Sequence, residues 1–240
     1  MKPRHTRVGS GLTTVVGAIV VGLSASVASS SGQGLPAALV EGGWKEITFD
    51  GKMPNRYRAC GDACIAVETQ SSVSMIGRPV TVDLGRERWL NWEWRIEAWP
   101  VDTDLSRKGG DDRAIAVYVG FKYDPDSATL AETLLRPFVE LSQGADAPGR
   151  GISYVWAGGE TPESLMRNPY QEATSAIIVT RTADDPIGEW IMESRDVIAD
   201  YARAFDAEPT GVTHVLISAD SDDTGADNAA SVRNITFDDG

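Results

Sequence analysis

The chain has 240 residues, a formal net charge of −13 at pH 7, two cysteines and two histidines. So acidic a chain is repelled by phosphate backbones, which sets nucleic acid aside as a partner. One histidine, His5, stands in the first few residues, so a zinc centre of histidines and cysteines cannot be assembled from what remains.

Lys2, Arg4, His5 and Arg7 form a basic start, Val8–Leu23 a weakly apolar run, and Ser26-Val27-Ala28 a triplet of the small-residue kind that signal peptidases take. The run has 16 residues and includes glycines and threonines. That is short of the ~20 apolar residues a spanning helix needs, and no later segment comes near it. Residues 1–28 are expected to be a signal peptide, with retention as an anchor the alternative. Residues 29–43 are expected to be a flexible segment and residues 44–240 a single domain of a periplasmic or secreted protein. Removal of the signal takes three basic residues and no acid, so the charge passes from −13 to −16.

Short runs bounded by turn residues follow, and they read as strands. They are Trp44–Phe49, then the runs flanking Cys60 and Cys64, then the run after Pro79, Arg88–Trp99 and Ala114–Tyr123. Gly151–Ala157, Ala173–Arg181, Gly188–Val197, Thr213–Ala219 and Ala230–Phe237 complete the series. Gly61-Asp62-Ala63 reads as a hairpin loop that sets the two cysteines opposite one another, and a disulfide is expected there in an oxidising compartment. Two segments read as helices. One is capped by Asp126 or Ser127 and runs to Leu141, with Leu130, Leu134, Phe138 and Leu141 on one face and Pro137 marking a kink or early end. The other is Asp196–Phe205, with Val197, Tyr201 and Phe205 on one face. About ten strands and two short helices, with no alternation of the two, give a β-sandwich.

The motifs exclude much chemistry. No Gly-x-Ser-x-Gly elbow stands before a helix, no glycine pair has phosphate-loop spacing, and His214 sits in an apolar run as a structural residue. Carboxylates and aromatics remain. On the strand Asn91–Trp99, Trp92, Trp94 and Ile96 face one way and Glu93, Arg95 and Glu97 the other. Glu93 and Glu97 could serve a glycosidase, but Arg95 between them lowers both pKa values, so a self-neutralising ladder is the preferred reading. Asp111 and Asp112 precede the most apolar strand and point apart. Tyr154 and Trp156 share a strand face, with Tyr170 and Trp190 as further aromatics for stacking on a sugar.

Asp220-Ser221-Asp222-Asp223-Thr224-Gly225 begins like a calcium loop, with oxygen side chains at its first, third and fifth positions. The twelfth position is Ser231 where a bidentate glutamate is needed, and the flanks are strands. An ordered turn built by Asp220, Asp222, Thr224 and a positive-φ Gly225 is preferred. A non-EF cation site on Asp220, Asp222 and Thr224, extended by Asp227 or Asn228, is the alternative, with calcium as the candidate ion.

The blocks Gly110–Phe121, Ile152–Gly159, Asn168–Arg181, Gly188–Phe205 and His214–Phe237 resemble, in order, those of an exported bacterial family known as domain of unknown function 3047. Cys64–Leu84 and Leu90–Pro100 are similar to its N-terminal half. The resemblance implies a sandwich like concanavalin-type and carbohydrate-binding jelly rolls, and no established reaction. The leading expectation is a non-catalytic binder of a glycan or other envelope ligand, with Tyr154, Trp156, Asp112, Asp220 and Asp222 in its site. A hydrolase drawing on Glu93, Glu97, Asp111, Asp112 and Asp220 is the second reading. A structural envelope protein without a small ligand is the third.

Overall fold

Alternation along Trp89–Ile96 decides the interior. Trp92, Trp94 and Ile96 are fully buried, while Glu93 and Arg95 are half-buried on the opposite face. The computed structural model describes residues 34–98 and 102–240, so the signal-peptide reading of residues 1–28 lies outside the described residues. In chain order the elements are α1 (Ala37–Glu41), β1 (Lys45–Thr48), β2 (Arg56–Gly61), β3 (Cys64–Gln70), β4 (Val73–Pro79), β5 (Trp89–Ile96) and β6 (Arg113–Phe121). Then follow α2 (Leu130–Gln143), β7 (Arg150–Trp156), β8 (Leu165–Arg167), β9 (Ser175–Arg181), β10 (Ile191–Asp196), α3 (Val197–Phe205), β11 (Val212–Asp220) and β12 (Asp227–Asp238).

The strands form a seven-stranded sheet in the order β1-β4-β11-β6-β7-β9-β8 and a five-stranded sheet in the order β10-β5-β12-β3-β2. Every pair is antiparallel except β7–β9. From β9 to β12 each strand crosses to the other sheet, as do β3 to β4, β4 to β5 and β5 to β6. Such crossing is the connectivity of a jelly-roll-like sandwich. Between the sheets Trp92 meets Tyr154 at 5.3 Å between ring centres, and Trp94 meets Trp156 at 5.6 Å.

Several expectations change. The run after Pro79 is not a strand. The strand is the preceding β4, whose Ser74 and Gly77 dilute its apolar pattern. Gly77 leaves room there for the Leu216 side chain of β11, to which an added Cβ would come within 3.0 Å. The three residues of β8 carry too little pattern to be read. Of the segment expected to be flexible, residues 34–43 carry α1, which buries Leu39 against the core.

Helix α2 departs most. Its cap is Thr129, in a capping box with Glu132, and the helix continues through Pro137. Leu130 and Leu134 are 77% and 64% exposed. The helix instead docks by polar groups on other faces: Glu132 pairs with buried Arg150 at 2.7 Å, and Arg136 donates to the Ala145 and Ala147 carbonyls. A buried arginine left without its carboxylate costs about 3–5 kcal/mol, of the same order as two leucines left in water. The Phe138 and Leu141 side chains of the expected face lie outside the described residues. In α3, Asp196 caps the helix, Val197 and Tyr201 are buried, and Phe205 packs against the core as its spacing requires.

Cys60 and Cys64 form the expected disulfide across the β2–β3 hairpin, but the loop is Asp62-Ala63 alone: Gly61 ends β2 and stands opposite Cys64, and a register irregularity sets Cys60 off that position. So small a ring restricts the unfolded chain little. Replacing both cysteines by serine is expected to cost about 2 kcal/mol, measured by urea unfolding, with the fold retained.

Candidate functional site

Asp220 ends β11 on the face of the seven-stranded sheet turned away from its partner sheet, since its neighbour Ala219 lies in the intersheet core. A second apolar cluster occupies that outer face: Leu105 of the 102–112 loop packs with Ala116, Val155, Ala157, Ile177 and Val179. Glu160 accepts from the Leu105 backbone N–H at 2.6 Å and fixes the loop. The loop then delivers Asp111 and Asp112 beside Asp220.

The two neighbouring acids do different things. Asp111 lies 3.2 Å from Arg113, whose guanidinium is also 3.4 Å from Asp220. Asp112 Oδ1 accepts from the Asp223 N–H at 3.2 Å, and its Oδ2 accepts from the Thr224 N–H and hydroxyl at 2.8 and 2.5 Å. Asp112 therefore latches the β11–β12 loop. Within that loop Gly225 has φ +71° and donates to the Ser221 carbonyl, and Ser221 exchanges hydrogen bonds with Ser72. Asp220 accepts weakly from the Asp222 N–H, and Thr224 from that of Ala226. Asp222 instead pairs with Lys52, far away in sequence.

Carboxylate oxygens of Asp112, Asp220 and Asp222 lie within 4.8 Å of one another. Burial pushes the Asp220 carboxyl up to about 7; Arg113 opposes this, while the charges of Asp111, Asp112 and Asp223 add to it. Asp223 is also raised, by burial and then by the charges of Asp112 and Asp111. Among the described residues, the ion pairs these five acids make are with two cations, Arg113 and Lys52. Tyr170 stands beside them. Its hydroxyl accepts from the Gly109 N–H at 2.9 Å, its ring is partly exposed, and burial followed by the nearby Asp111 charge raises its pKa. The Lys108 ammonium lies 5.5 Å from the ring centre.

Other candidates fall elsewhere. Tyr154 and Trp156 are fully buried between the sheets, so the expectation that they touch a ligand is corrected: their strand face is the core face. Glu93 and Glu97 are on the outer face of the five-stranded sheet, so the five-acid hydrolase set is divided between opposite sides of the sandwich. Glu93 is held below the usual carboxylate range by hydrogen bonds from Arg233 and Asn234. Of the Glu93–Arg95–Glu97 ladder, the Arg95–Glu97 rung is present at 2.7 Å, while Glu93 is neutralised by Arg233 instead of Arg95. Trp190 lies under Arg95 and Arg233, on that same side. Asn228 is buried and donates to the Ala114 carbonyl at 2.6 Å. His214 is lowered in pKa by burial and makes no ion pair among the described residues. The sequence reading missed Lys52, for which no local pattern exists, and the latch from Asp112 to Thr224, which spans 112 positions.

The raised pKa of Asp220 sets a pH dependence. Between the ordinary value of 3.8 and about 7, the folded protein holds a proton that the unfolded chain releases. The stabilisation is full below 3.8, falls as pH rises through 7, and is absent above it. Asp220→Asn is expected to flatten the melting profile over this window and to raise Tm by roughly 4 °C at pH 8. Calorimetry at several pH values checks this, and a profile as steep as wild type would refute it.

The family described as "Protein of unknown function (DUF3047)" matches residues 42–236. No curated protein matches the chain. Among solved structures, the chain is similar to the xyloglucanase domain of NopAA, a type three effector from Sinorhizobium fredii, in complex with cellobiose. The identity is 8% and the TM-score 0.42, over 82% of this chain and 93% of that one. A likeness of that size carries nothing about function. The family match spans nearly all of the sandwich, and the chain belongs to the DUF3047 family.

Proposed function

We propose that this is an exported, non-catalytic carbohydrate-binding protein, and that its ligand site is Tyr170 with Asp111, Asp220, Asp222 and Asp223. The observation that carries the reading is the partly exposed Tyr170 ring standing next to a surplus of carboxylates. A sugar ring offers C–H groups to an aromatic face and hydroxyl donors to carboxylates, so the two kinds of group together fit a glycan. The basic, apolar and small-residue order of the N-terminus supports export, and the disulfide suits an oxidising compartment.

Binding is favoured over hydrolysis for two reasons. Asp112 has both oxygens taken by the loop it holds, and Glu93 and Glu97 are across the sandwich. The two acids that remain, Asp111 and Asp220, both lie against the one Arg113 guanidinium, which holds them to the protein rather than on either side of a glycosidic bond.

Calcium is the candidate accessory ligand. Asp112, Asp220 and Asp222 converge closely enough to share an ion, and oxygen donors suit a hard cation. Lys52, paired with Asp222, is the group the ion would displace.

Two outcomes are expected. Tyr170→Ala abolishes retention on a polysaccharide array while Tm stays within about 2 °C of wild type; retention equal to wild type would sink the reading. Millimolar calcium raises the Tm of the wild-type protein and not that of Asp222→Ala, as read by calorimetry with and without chelator. The same shift in both proteins would remove the ion from this site.

A further inference from the structure

At the opposite end of the sandwich from the aspartate loop, a cavity of about 410 Å³ opens between the sheets. It is bounded by the end of β4, the start of β11 and the end of β12. Its size falls in the ~300–1,000 Å³ range of small-molecule sites. Val80, Val82, Val215 and Phe237 give it apolar walls, and Arg78 and Glu87 are the charged residues in its lining.

Arg78 stands out. Its position opposite Val215 in the β4–β11 ladder starts it on the intersheet face, at the half-open mouth of the cavity, and the residue is half-buried. Its guanidinium lies 5.0 Å from the centre of the Trp44 ring, which fixes its direction. Its Nε is buried and has no hydrogen-bond partner, and among the described residues Arg78 has no carboxylate within ion-pair distance. Other buried or half-buried arginines here are paired: Arg88, Arg113, Arg150, Arg181, Arg195 and Arg233 each have an acid. An unpaired guanidinium against apolar walls calls for an anion with an apolar body. Glu87, whose carboxylate accepts from the Asp83 N–H at 3.1 Å, places one negative charge in the same lining; it repels any anion, and a dianion about twice as strongly as a monoanion.

We infer that this cavity is a binding site for an apolar monocarboxylate, with Arg78 as its anchor. It is separate from the aspartate site and does not depend on that site's function.

The test uses decanoate and decanol below their aggregation limits, with titration calorimetry on the full chain. Wild-type protein binds decanoate, and Arg78→Met weakens it by roughly tenfold or more, while the affinity for decanol changes little. Val82→Phe, which fills the cavity and leaves Arg78 in place, weakens both ligands, so the site is testable even if Arg78→Met folds poorly. Tyr170→Ala leaves decanoate binding as in wild type, which separates this site from the one proposed above. The inference is overturned if wild type shows no heat with decanoate at millimolar concentration. It is equally overturned if decanoate binds Arg78→Met as tightly as wild type, or if Val82→Phe affects neither ligand.

Discussion

Four rings set the distance between the sheets. Trp92 and Trp94 from β5 meet Tyr154 and Trp156 from β7, and all four are essentially closed to solvent. Rings of this size are among the largest apolar surfaces a chain can bury. Placing two on each facing strand at alternate positions commits both strands to one register. A slip of one residue would turn all the rings away from the intersheet core.

Their polar atoms then shape the molecule beyond the core. The Trp94 indole N–H donates to Glu193, and the Tyr154 hydroxyl donates to Asp200. Those carboxylates are buried, so each needs a cation of its own. Arg181 serves Glu193 and is shared with Asp185; Arg195 serves Asp200 and is shared with Glu163. The Trp156 indole finds the Thr182 carbonyl instead. The charge networks around β10 and α3 are therefore consequences of aromatic burial. The acids around Asp220 have no such origin: among the described residues no core ring donates to them, and they outnumber the cations they pair with. That difference separates a candidate site from charged surroundings that merely complete a core.

Local pattern made part of this legible in the sequence. The two faces of Asn91–Ile96, the hairpin between the cysteines and the amphipathic face of α3 each follow from the spacing of a few neighbouring residues, and the structure has all three. What failed had distant causes. Leu130 and Leu134 share a face as a buried pair would, but the position of α2 is decided by Arg150, which lies on β7. Tyr154 and Trp156 look the same in sequence whether they face a ligand or a facing sheet, and only the presence of β5 opposite decides. The acids of the site could be named one by one, yet their grouping rests on Asp112 holding a loop over a hundred residues away and on Lys52 reaching Asp222. Tyr170 gains its interest from standing beside that group and from nothing in its own surroundings in the chain.

The order of strands has a further consequence, for how copies of the chain treat one another. Strands as apolar as β6 and β9 would recruit their like if they lay at a border, but both are interior to the seven-stranded sheet. Its borders are β8 and β1, of three and four residues, too short to template a partner. The five-stranded sheet ends in β2, which carries Arg56 and Arg58 and is pinned to β3 by the disulfide, and in β10, whose Glu193 and Arg195 are already engaged. The order in which the strands are laid down thus keeps the most apolar of them away from every sheet border and leaves charged strands, or very short ones, at the edges.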